Sequence, residues 1–350
     1  MIAAVDYFAH RKQNSLRWQS LFAVLVFTFA IITLGFGPAG WDWRLAFAWL
    51  LPEHFTQFSE LQLNVVTHIR LPRFCLALIV GAVLAQTGAA TQALCRNPLA
   101  DPSIIGVSAG AAVMAVAVIA LAPKIGFNPD VWLPYAAFSG ALLVTFLVYH
   151  MAQQNQEISV TSLILVGVAL NALSFALIGL FSFYADDSSL RLINYWTMGS
   201  LAGAGWSGLL QSLPLILMSF VGLYSKRAEL NLLLLGESEA RYLGVNIQRL
   251  KMQIVIYVAL GVGAVVAMTG MIGFVGLVVP HMTRLLVGAN MRYMLSVCAL
   301  LGSVVLLFSD WLAKIVVAPT ELPIGIITAL IGAPVFIYLL QKNRMRGHHA

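Results

Sequence analysis

The sequence predicts an all-α polytopic membrane protein, and two observations carry this prediction. About 60% of the 350 residues are hydrophobic and only 10% are charged, and the mean hydropathy is +0.88. Soluble globular proteins carry about 45–50% apolar and about 25% charged residues. Apolar runs of spanning length also recur along the chain, as membrane-crossing helices require. The composition therefore excludes a soluble enzyme, a nucleic-acid-binding domain and a disordered chain.

Ten apolar runs are predicted to be membrane-spanning helices. Gly270 and Gly273 separate the seventh run from the eighth within a nearly continuous apolar stretch. We place the spans at 17–36, 72–94, 104–122, 132–152, 158–182, 206–224, 252–271, 272–287, 293–314 and 323–341. An even number puts both termini on one side. Placing them in the cytoplasm leaves fourteen of the twenty lysines and arginines inside, in agreement with the positive-inside rule.

An internal repeat indicates a transporter. Residues 77–88 read ALIVGAVLAQTG and residues 259–270 read ALGVGAVVAMTG, so nine of twelve positions match. Both copies carry small residues four apart, a pattern that lets two helices approach closely. The copies lie five spans apart and so cross the membrane in opposite directions, and inverted duplication is typical of transporters. Chance similarity between two Ala- and Gly-rich helices is the alternative.

The sequence lacks the motifs of nucleotide and metal chemistry. No lysine follows a glycine, which excludes a phosphate-binding P-loop, and neither a His-Glu-x-x-His nor a Cys-x-x-Cys motif occurs. The three cysteines are predicted to be buried, inert thiols. Asp310 is the clearest carboxylate within a span; we expect it to bond a neighbouring helix, with ion coupling as the alternative. We therefore expect a transport protein with no cofactor of its own, not an enzyme, that depends on a partner for energy.

Two stretches are too polar to span. Residues 37–71 form a tryptophan-rich external segment that is predicted to lie at the lipid interface. Residues 225–251 form a charged cytoplasmic loop. Its helix formers between Glu237 and Leu250 predict an amphipathic helix lying across the cytoplasmic face. The apolar side of this helix would consist of Ala240, Leu243, Val245, Ile247 and Leu250.

Several long motifs identify a family. They run from RLPR at 70–73 through QALCRNPLADP at 92–102 and GVSAG at 106–110 to GFVGLVVPHMTR at 273–284 and ELPIGIITALIGAPVF at 321–336. From about residue 65 to 341 the chain resembles the ferric-chelate and cobalamin permease family, the membrane subunits of type II ABC importers. The resemblance implies that family's fold in one permease domain over residues 1–350. Its inverted halves would cover about 65–200 and 245–341, with a coupling loop at 225–251.

The resemblance also implies an assembly and a cargo. The permease would form a homodimer in the lipid of the bacterial inner membrane, with two cytoplasmic ATPase subunits that bind ATP and magnesium and one periplasmic substrate-binding protein. No nucleic acid is implied. Segment 183–206 is most similar to haemin permeases, so haemin is the first expected cargo, a ferric siderophore the second and cobalamin the third. The alternative from a different class is an ion-coupled secondary transporter.

Three sets of functional residues follow from the same resemblance. Coupling to the ATPase is expected of Gly236, Glu237, Ala240, Arg241, Leu243 and Gly244. Docking of the binding protein is expected of Arg70, Arg73 and Lys314, the last of which departs from the family in type but keeps the charge. The translocation path or gate is expected to include Asn171, Ser174, Tyr184, Trp196, Met198 and Ser200. The alternative for the coupling residues is a helix resting on lipid headgroups. For the docking residues it is contact of the cations with lipid phosphates, and for the path residues it is ordinary packing.

Overall fold

The computed structural model describes residues 2–37, 40–50, 58–154 and 157–347, and nearly all of them are helical. The helices in chain order are α1 (Ile2–Gly35), α2 (Leu45–Ala48), α3 (Glu60–Val65), α4 (Leu71–Leu94), α5 (Val107–Ile125), α6 (Pro129–Met151), α7 (Val160–Tyr184), α8 (Asp187–Thr197), α9 (Trp206–Ser225), α10 (Arg227–Leu233), α11 (Glu237–Tyr242), α12 (Ile247–Thr269), α13 (Val275–Val287), α14 (Met291–Ile315) and α15 (Ile324–Gly347). Two antiparallel pairs of two-residue strands complete the fold: β1 (Phe36–Gly37) with β2 (Gly40–Trp41), and β3 (Gln153–Gln154) with β4 (Glu157–Ile158).

The predicted spans correspond to ten apolar helices. Within the described residues, eight helices are long and apolar enough to cross a membrane, and two shorter ones are apolar over Val275–Val287 and Ile324–Tyr338. The predicted full span at 272–287 is therefore too long. Phe274 adopts a left-handed conformation with φ of 67°, so the helix begins only at Val275. At 1.5 Å per residue, a helix of 13 residues falls short of the roughly 30 Å hydrocarbon core.

The buried helix α4 packs against α14 with their backbones in contact. A Cβ atom on either Gly81 or Gly302 would collide with the carbonyl oxygen of the other. Beside this contact, the Ser303 hydroxyl donates to the carbonyl oxygen of Leu78 at 2.7 Å. The small-residue stripe thus does what its spacing predicts, because the absence of side-chain bulk lets two helices approach closely.

The second copy of the repeat packs in the reciprocal way. A Cβ atom on Gly263 of α12 would lie 3.1 Å from the Cβ of Ala141 in α6. The first helix of each copy, α4 or α12, therefore packs against the third helix of the other copy, α14 or α6. Inverted duplication produces such an exchange. The exact limits of the two halves stay a prediction.

Each copy also contains a break in the same place. Gly106, with φ of 80°, lies just before α5, and Phe274 lies just before α13. The helix that follows each copy of the repeat packs against the break in that copy. Gly167 of α7 contacts the carbonyl oxygen of Ile104, and Gly332 of α15 contacts the Phe274 side chain. Two helices of the bundle therefore begin at irregular backbone covered by protein, the setting in which a membrane tolerates such backbone.

The 225–251 loop differs from its prediction. A single helix from Glu237 to Leu250 does not form; α11 ends at Tyr242 and α12 begins at Ile247. Gly244, with φ of 88°, ends the first helix, and the Asn246 side chain caps the second. Of the five apolar residues expected on one side, four are buried and Leu243 is exposed.

The segment at 37–71, which was predicted to be external, contains short elements. It runs through β2, α2 and α3 into a π-helical turn at Val66–Arg70 that continues into α4. Trp41 and Trp43 are exposed, whereas the Trp49 indole donates to the carbonyl oxygen of Ala46 at 2.8 Å. Residues 51–57 lie outside the described residues.

Candidate functional site

The predicted coupling residues lie on a compact projection, the α10–α11 segment, which comprises residues 227–244. Its base is fixed in the protein by Leu230, Leu233 and Ala240, which are fully buried. Its tip presents apolar side chains to solvent, since Tyr242 is 92% exposed and Leu243 is 60% exposed. A rigid base with an exposed apolar tip is suited to insertion into a pocket of another protein.

The predicted coupling residues divide between tip and base. Leu243 and Arg241 are exposed, and Arg241 Nη2 lies 3.3 Å from Glu157 Oε1. Ala240 is buried. Glu237 is drawn inward, where its Oε2 accepts from Lys251 Nζ at 2.7 Å. Gly236 and Gly244 adopt positive φ angles of 139° and 88°, which glycine reaches without steric cost.

The carboxylate of Glu239 lies at the first turn of α11. Its own backbone N–H and the Ser238 hydroxyl lower the pKa of Glu239 below its ordinary value.

Beyond the end of α4, burial raises the pKa of the Cys95 thiol to about 11. At this pKa the Cys95 thiol is mostly protonated near neutral pH. Of the three cysteines predicted to be buried, Cys298 is buried, whereas Cys75 and Cys95 are half-buried.

Two of the three predicted docking residues belong to a buried ion cluster, defined as Arg73, Asp310, Lys314 and Glu321. Arg73 donates to Asp310 Oδ1 from Nε at 2.9 Å and from Nη2 at 2.8 Å, and its Nη1 contacts Glu321 at 2.8 Å. Lys314 Nζ lies 2.7 Å from Asp310 Oδ2. The side chain of Asp310 is only 2% exposed. The cluster joins α4 and α14 to the start of the α15 region, and its two positive charges are balanced by two carboxylates.

Arg70, the third predicted docking residue, lies outside this cluster. Its Nη1 donates to the carbonyl oxygen of Leu34 at 2.7 Å. The side chain is partly exposed. Within the part of the chain that the structure describes, Arg70 is therefore the one of the three cations whose charge is met by a neutral carbonyl and not by a carboxylate.

Asn171, a predicted path residue, lines a cavity of about 210 Å³. The cavity lies between α7 and the two helix breaks, and its other polar walls are Asp101, Ser103 and Ser108. The Asn171 amide donates to the carbonyl oxygen of Ser103 at 3.0 Å. Ser174 is buried on the same helix and Tyr184 is exposed at its end. Neither side chain is among those that line this cavity, so the role of these two residues in the path stays a prediction.

Three further predicted path residues, Trp196, Met198 and Ser200, belong to one structural unit, the 196–200 turn. The backbone of this turn is bonded to two other segments: the N–H of Ser200 donates to the Thr269 carbonyl at 2.7 Å, and the Met198 carbonyl accepts from the N–H of Gly325 at 3.1 Å. The turn therefore links the end of α8 to the end of α12 and the start of α15.

Glycine allows this junction to form. Gly199 has φ of 73°, and a Cβ atom there would collide with the carbonyl oxygen of Met271. Met271 also lines the 210 Å³ cavity. The 196–200 turn and Asn171 thus meet on the same irregular segment, residues 270–273.

Sequence reasoning missed Lys251, Glu321 and Asp101. The signal for Lys251 was its position: a lysine near the start of a spanning helix must either reach headgroups or find a buried partner. Glu321 and Asp101 lie within the family motifs given above. Their roles become evident only from the structure, in which Glu321 contacts Arg73 and Asp101 lines the cavity.

Comparison with known proteins identifies relatives along nearly the whole chain. The family model described as the FecCD transport family matches residues 23–342. The hemin transport system permease protein HmuU of Yersinia pestis is 40% identical over 83% of this chain and 86% of its own length. The vitamin B12 import system permease protein BtuC of Vibrio cholerae is 41% identical over 84% and 87%, respectively.

A solved structure shows the same architecture. A putative metal-chelate type ABC transporter in an inward-facing conformation superposes with a TM-score of 0.79 at 35% identity, covering 93% of this chain and 98% of that chain. The fold is therefore that of a type II ABC importer permease, a multi-pass membrane protein that works with ATPase and substrate-binding partners. On the match over residues 23–342 and on these relatives, the chain belongs to the FecCD transport family.

Proposed function

We propose that this chain moves an iron-bearing chelate, haemin first, inward across the bacterial inner membrane, powered by ATPase subunits that bind the α10–α11 segment. The observation that carries the proposal is the exposed tip at Tyr242 and Leu243 on a base fixed by buried leucines. Exposed apolar side chains on a short, rigid projection are costly in water unless a partner covers them.

The proposed assembly contains two copies of the permease, two ATPase subunits and one periplasmic binding protein. ATP and magnesium belong to the ATPase, and both termini lie in the cytoplasm with the α10–α11 segment. The family membership of the chain supports this assembly. A basic cytoplasmic face agrees with it as well, because lysine and arginine concentrate on that side of membrane proteins.

The proposed docking surface for the binding protein is the opposite end of the bundle. Arg70 is its first contact, since a partner carboxylate can replace the neutral Leu34 carbonyl at Nη1 and gain a charge-assisted bond. Arg73 and Lys314 take part only if a partner carboxylate competes with Asp310 and Glu321. Docking would then loosen the contact between α4 and α14 at this end.

The proposed path passes the 210 Å³ cavity beside Asn171, and the 196–200 turn acts as its gate. The turn is bonded to α12 and α15 at once, so a relative movement of these helices displaces it. Apolar and aromatic side chains at Trp196 and Met198 suit the passage of a flat macrocycle.

The choice of cargo needs a direct assay. The hemin and vitamin B12 relatives are 40% and 41% identical, so overall identity supports both cargoes equally. Haemin is proposed from segment 183–206. Uptake into vesicles containing the complete assembly, measured in parallel with haemin, a ferric siderophore and cobalamin, tests the choice. Preferred uptake of cobalamin or the siderophore would refute haemin as the cargo but would not contradict the proposed importer function.

Binding of the ATPase is tested at the tip. Tyr242→Ser removes an exposed aromatic anchor, and loss of such an anchor typically costs about 2 kcal/mol, or ~30-fold in affinity. Tyr135→Ser is the matched control, because Tyr135 is an exposed tyrosine at the start of α6. We expect the ATPase to dissociate from the first variant and to stay bound to the second. Equal binding by both variants would contradict the proposed contact.

A further inference from the structure

Among the residues whose burial the structure describes, Lys251 is the most deeply buried cation at the end of the bundle that carries the α10–α11 segment. Its side chain is 2% exposed, although it is only the fifth residue of α12. Its Nζ donates to two acceptors from different parts of the chain: Glu237 Oε2 at 2.7 Å and the backbone carbonyl oxygen of Ile158 at 2.8 Å. One ammonium group therefore holds three segments together.

The three segments have distinct positions in the fold. Glu237 is the first residue of α11. Ile158 ends β4 and is followed by Ser159, whose hydroxyl caps α7. A second bond fixes the same place, because the N–H of Ile158 donates to Gln248 Oε1 at 2.8 Å. Both polar backbone groups of Ile158 are thus bonded to side chains from the first five residues of α12.

α7 extends this attachment to the candidate path. It begins directly after Ser159 and carries Asn171, which lines the 210 Å³ cavity. The distance along the helix from Ile158 to Asn171 is about 20 Å at 1.5 Å per residue. A displacement of Ile158 is therefore carried along one helix to the wall of the cavity.

The burial of Lys251 makes this junction stiff. A buried ammonium group that loses one of its partners stays desolvated without compensation, which is far more costly than the loss of an exposed ion pair. The junction therefore favours movement of α11, α12 and the start of α7 as one unit. By contrast, the other bridge between α11 and β4, Arg241 with Glu157, is 60% exposed on both sides and contributes little.

We propose that Lys251 is a positioning residue that connects α11 to the start of α7, so that movement imposed on the α10–α11 segment reaches the translocation path. The inference rests on the proposed function, since it assumes that an ATPase acts on this segment. It adds the element that receives the movement, α7, and the atoms that pass it on.

The test uses the complete assembly of permease, ATPase and binding protein in vesicles. Lys251→Met keeps the length of the side chain and removes its charge and donors, whereas Lys251→Arg keeps both. Lys226→Met is the matched control: Lys226 is at the same end, and its ion pair with Glu229 at 2.9 Å stays within one helical turn. ATPase co-purification, ATP hydrolysis and substrate uptake are measured for each.

We expect Lys251→Met to keep the ATPase bound and hydrolysing while uptake per ATP falls by about tenfold, a typical size for coupling between sites. Lys251→Arg should restore most of the uptake. Lys226→Met should change neither ATPase binding nor uptake per ATP. Unchanged uptake per ATP in Lys251→Met would overturn the inference. Loss of ATPase binding together with uptake would also overturn it, since Lys251 would then only maintain α11.

A second variant covers the case in which Lys251→Met fails to fold. Gln248→Leu removes the bond to the N–H of Ile158 and leaves no buried charge behind. It should lower uptake per ATP in the same direction, and an unchanged ratio would overturn the inference. The wild-type assembly separates the two proposals. If it shows no ATP-driven uptake, both proposals fail. If it takes up substrate but the variants leave uptake per ATP unchanged, only the proposed role of Lys251 is refuted.

Discussion

The buried ion cluster at the end opposite the α10–α11 segment makes Asp310 the most informative residue to change. Its carboxylate accepts two hydrogen bonds from Arg73 and lies 2.7 Å from Lys314 Nζ. Asp310→Asn preserves the shape of the side chain but removes the negative charge that both cations share. Breaking a buried ion pair from one side costs about 3–5 kcal/mol.

The structure indicates the lower end of that range. Arg73 keeps its second partner, Glu321, which is 38% exposed, and Lys314 is 22% exposed and can be reached by water. We therefore expect Asp310→Asn to cost about 3 kcal/mol of stability. The measurement is thermal unfolding in detergent, followed by the intrinsic fluorescence of the eight tryptophans.

Glu229→Gln is the matched control for this experiment. It removes one charge from the pair with Lys226, whose side chains are 20% and 37% exposed, so a loss of about 0.3–0.5 kcal/mol is expected. Equal unfolding temperatures for Asp310→Asn and the control would refute the structural role of the cluster. If, in addition, Asp310→Asn abolished a pH- or sodium-dependent uptake, the carboxylate would serve ion coupling.

Three further outcomes are expected. Gly81→Leu should destabilise the protein by more than about 1–3 kcal/mol in detergent unfolding, because the new side chain meets backbone of α14. Gly179→Leu, whose surroundings are open, should not; equal losses would contradict the close contact. Gly199→Ala should abolish uptake, since φ is 73° and a carbonyl blocks the new methyl group, whereas Gly203→Ala should retain it; uptake by both would exclude the gate. Maleimide labelling of Cys95, followed by mass spectrometry, should be slow at pH 8 and rise about tenfold per pH unit up to pH 10, because burial raises its pKa to about 11; fast labelling at pH 7 would contradict this.

The fold could be predicted because lipid restricts the possible structures. Backbone in hydrocarbon must be helical, and a helix that crosses must be apolar over its length. The apolar runs therefore located ten helices, and the small residues around Gly81 and Gly263 marked two helices that can pack closely, without indicating their partners. The length of α13 escaped prediction, because the left-handed residue before it is Phe274, which carries no signal for such a conformation.

The partners of the charged residues could not be predicted. Arg73 and Asp310 are 237 positions apart, and their meeting depends on the packing of α4 against α14. The resemblance to the permease family gave Arg73 as a docking residue, and nothing in the sequence indicated that Asp310 and Glu321 would bind it. Lys251 was missed likewise, since the acceptor at Ile158 is a backbone carbonyl, which any residue type would offer.

The central claim is that this chain transports only when an external ATPase acts on the α10–α11 segment. Uptake of radiolabelled substrate by vesicles containing the permease and its binding protein tests it most directly, with and without the ATPase and with ATP and magnesium inside the compartment that the ATPase faces. We predict uptake only when ATPase, ATP and magnesium are all present. Uptake by the permease alone, driven by a proton or sodium gradient, would contradict it.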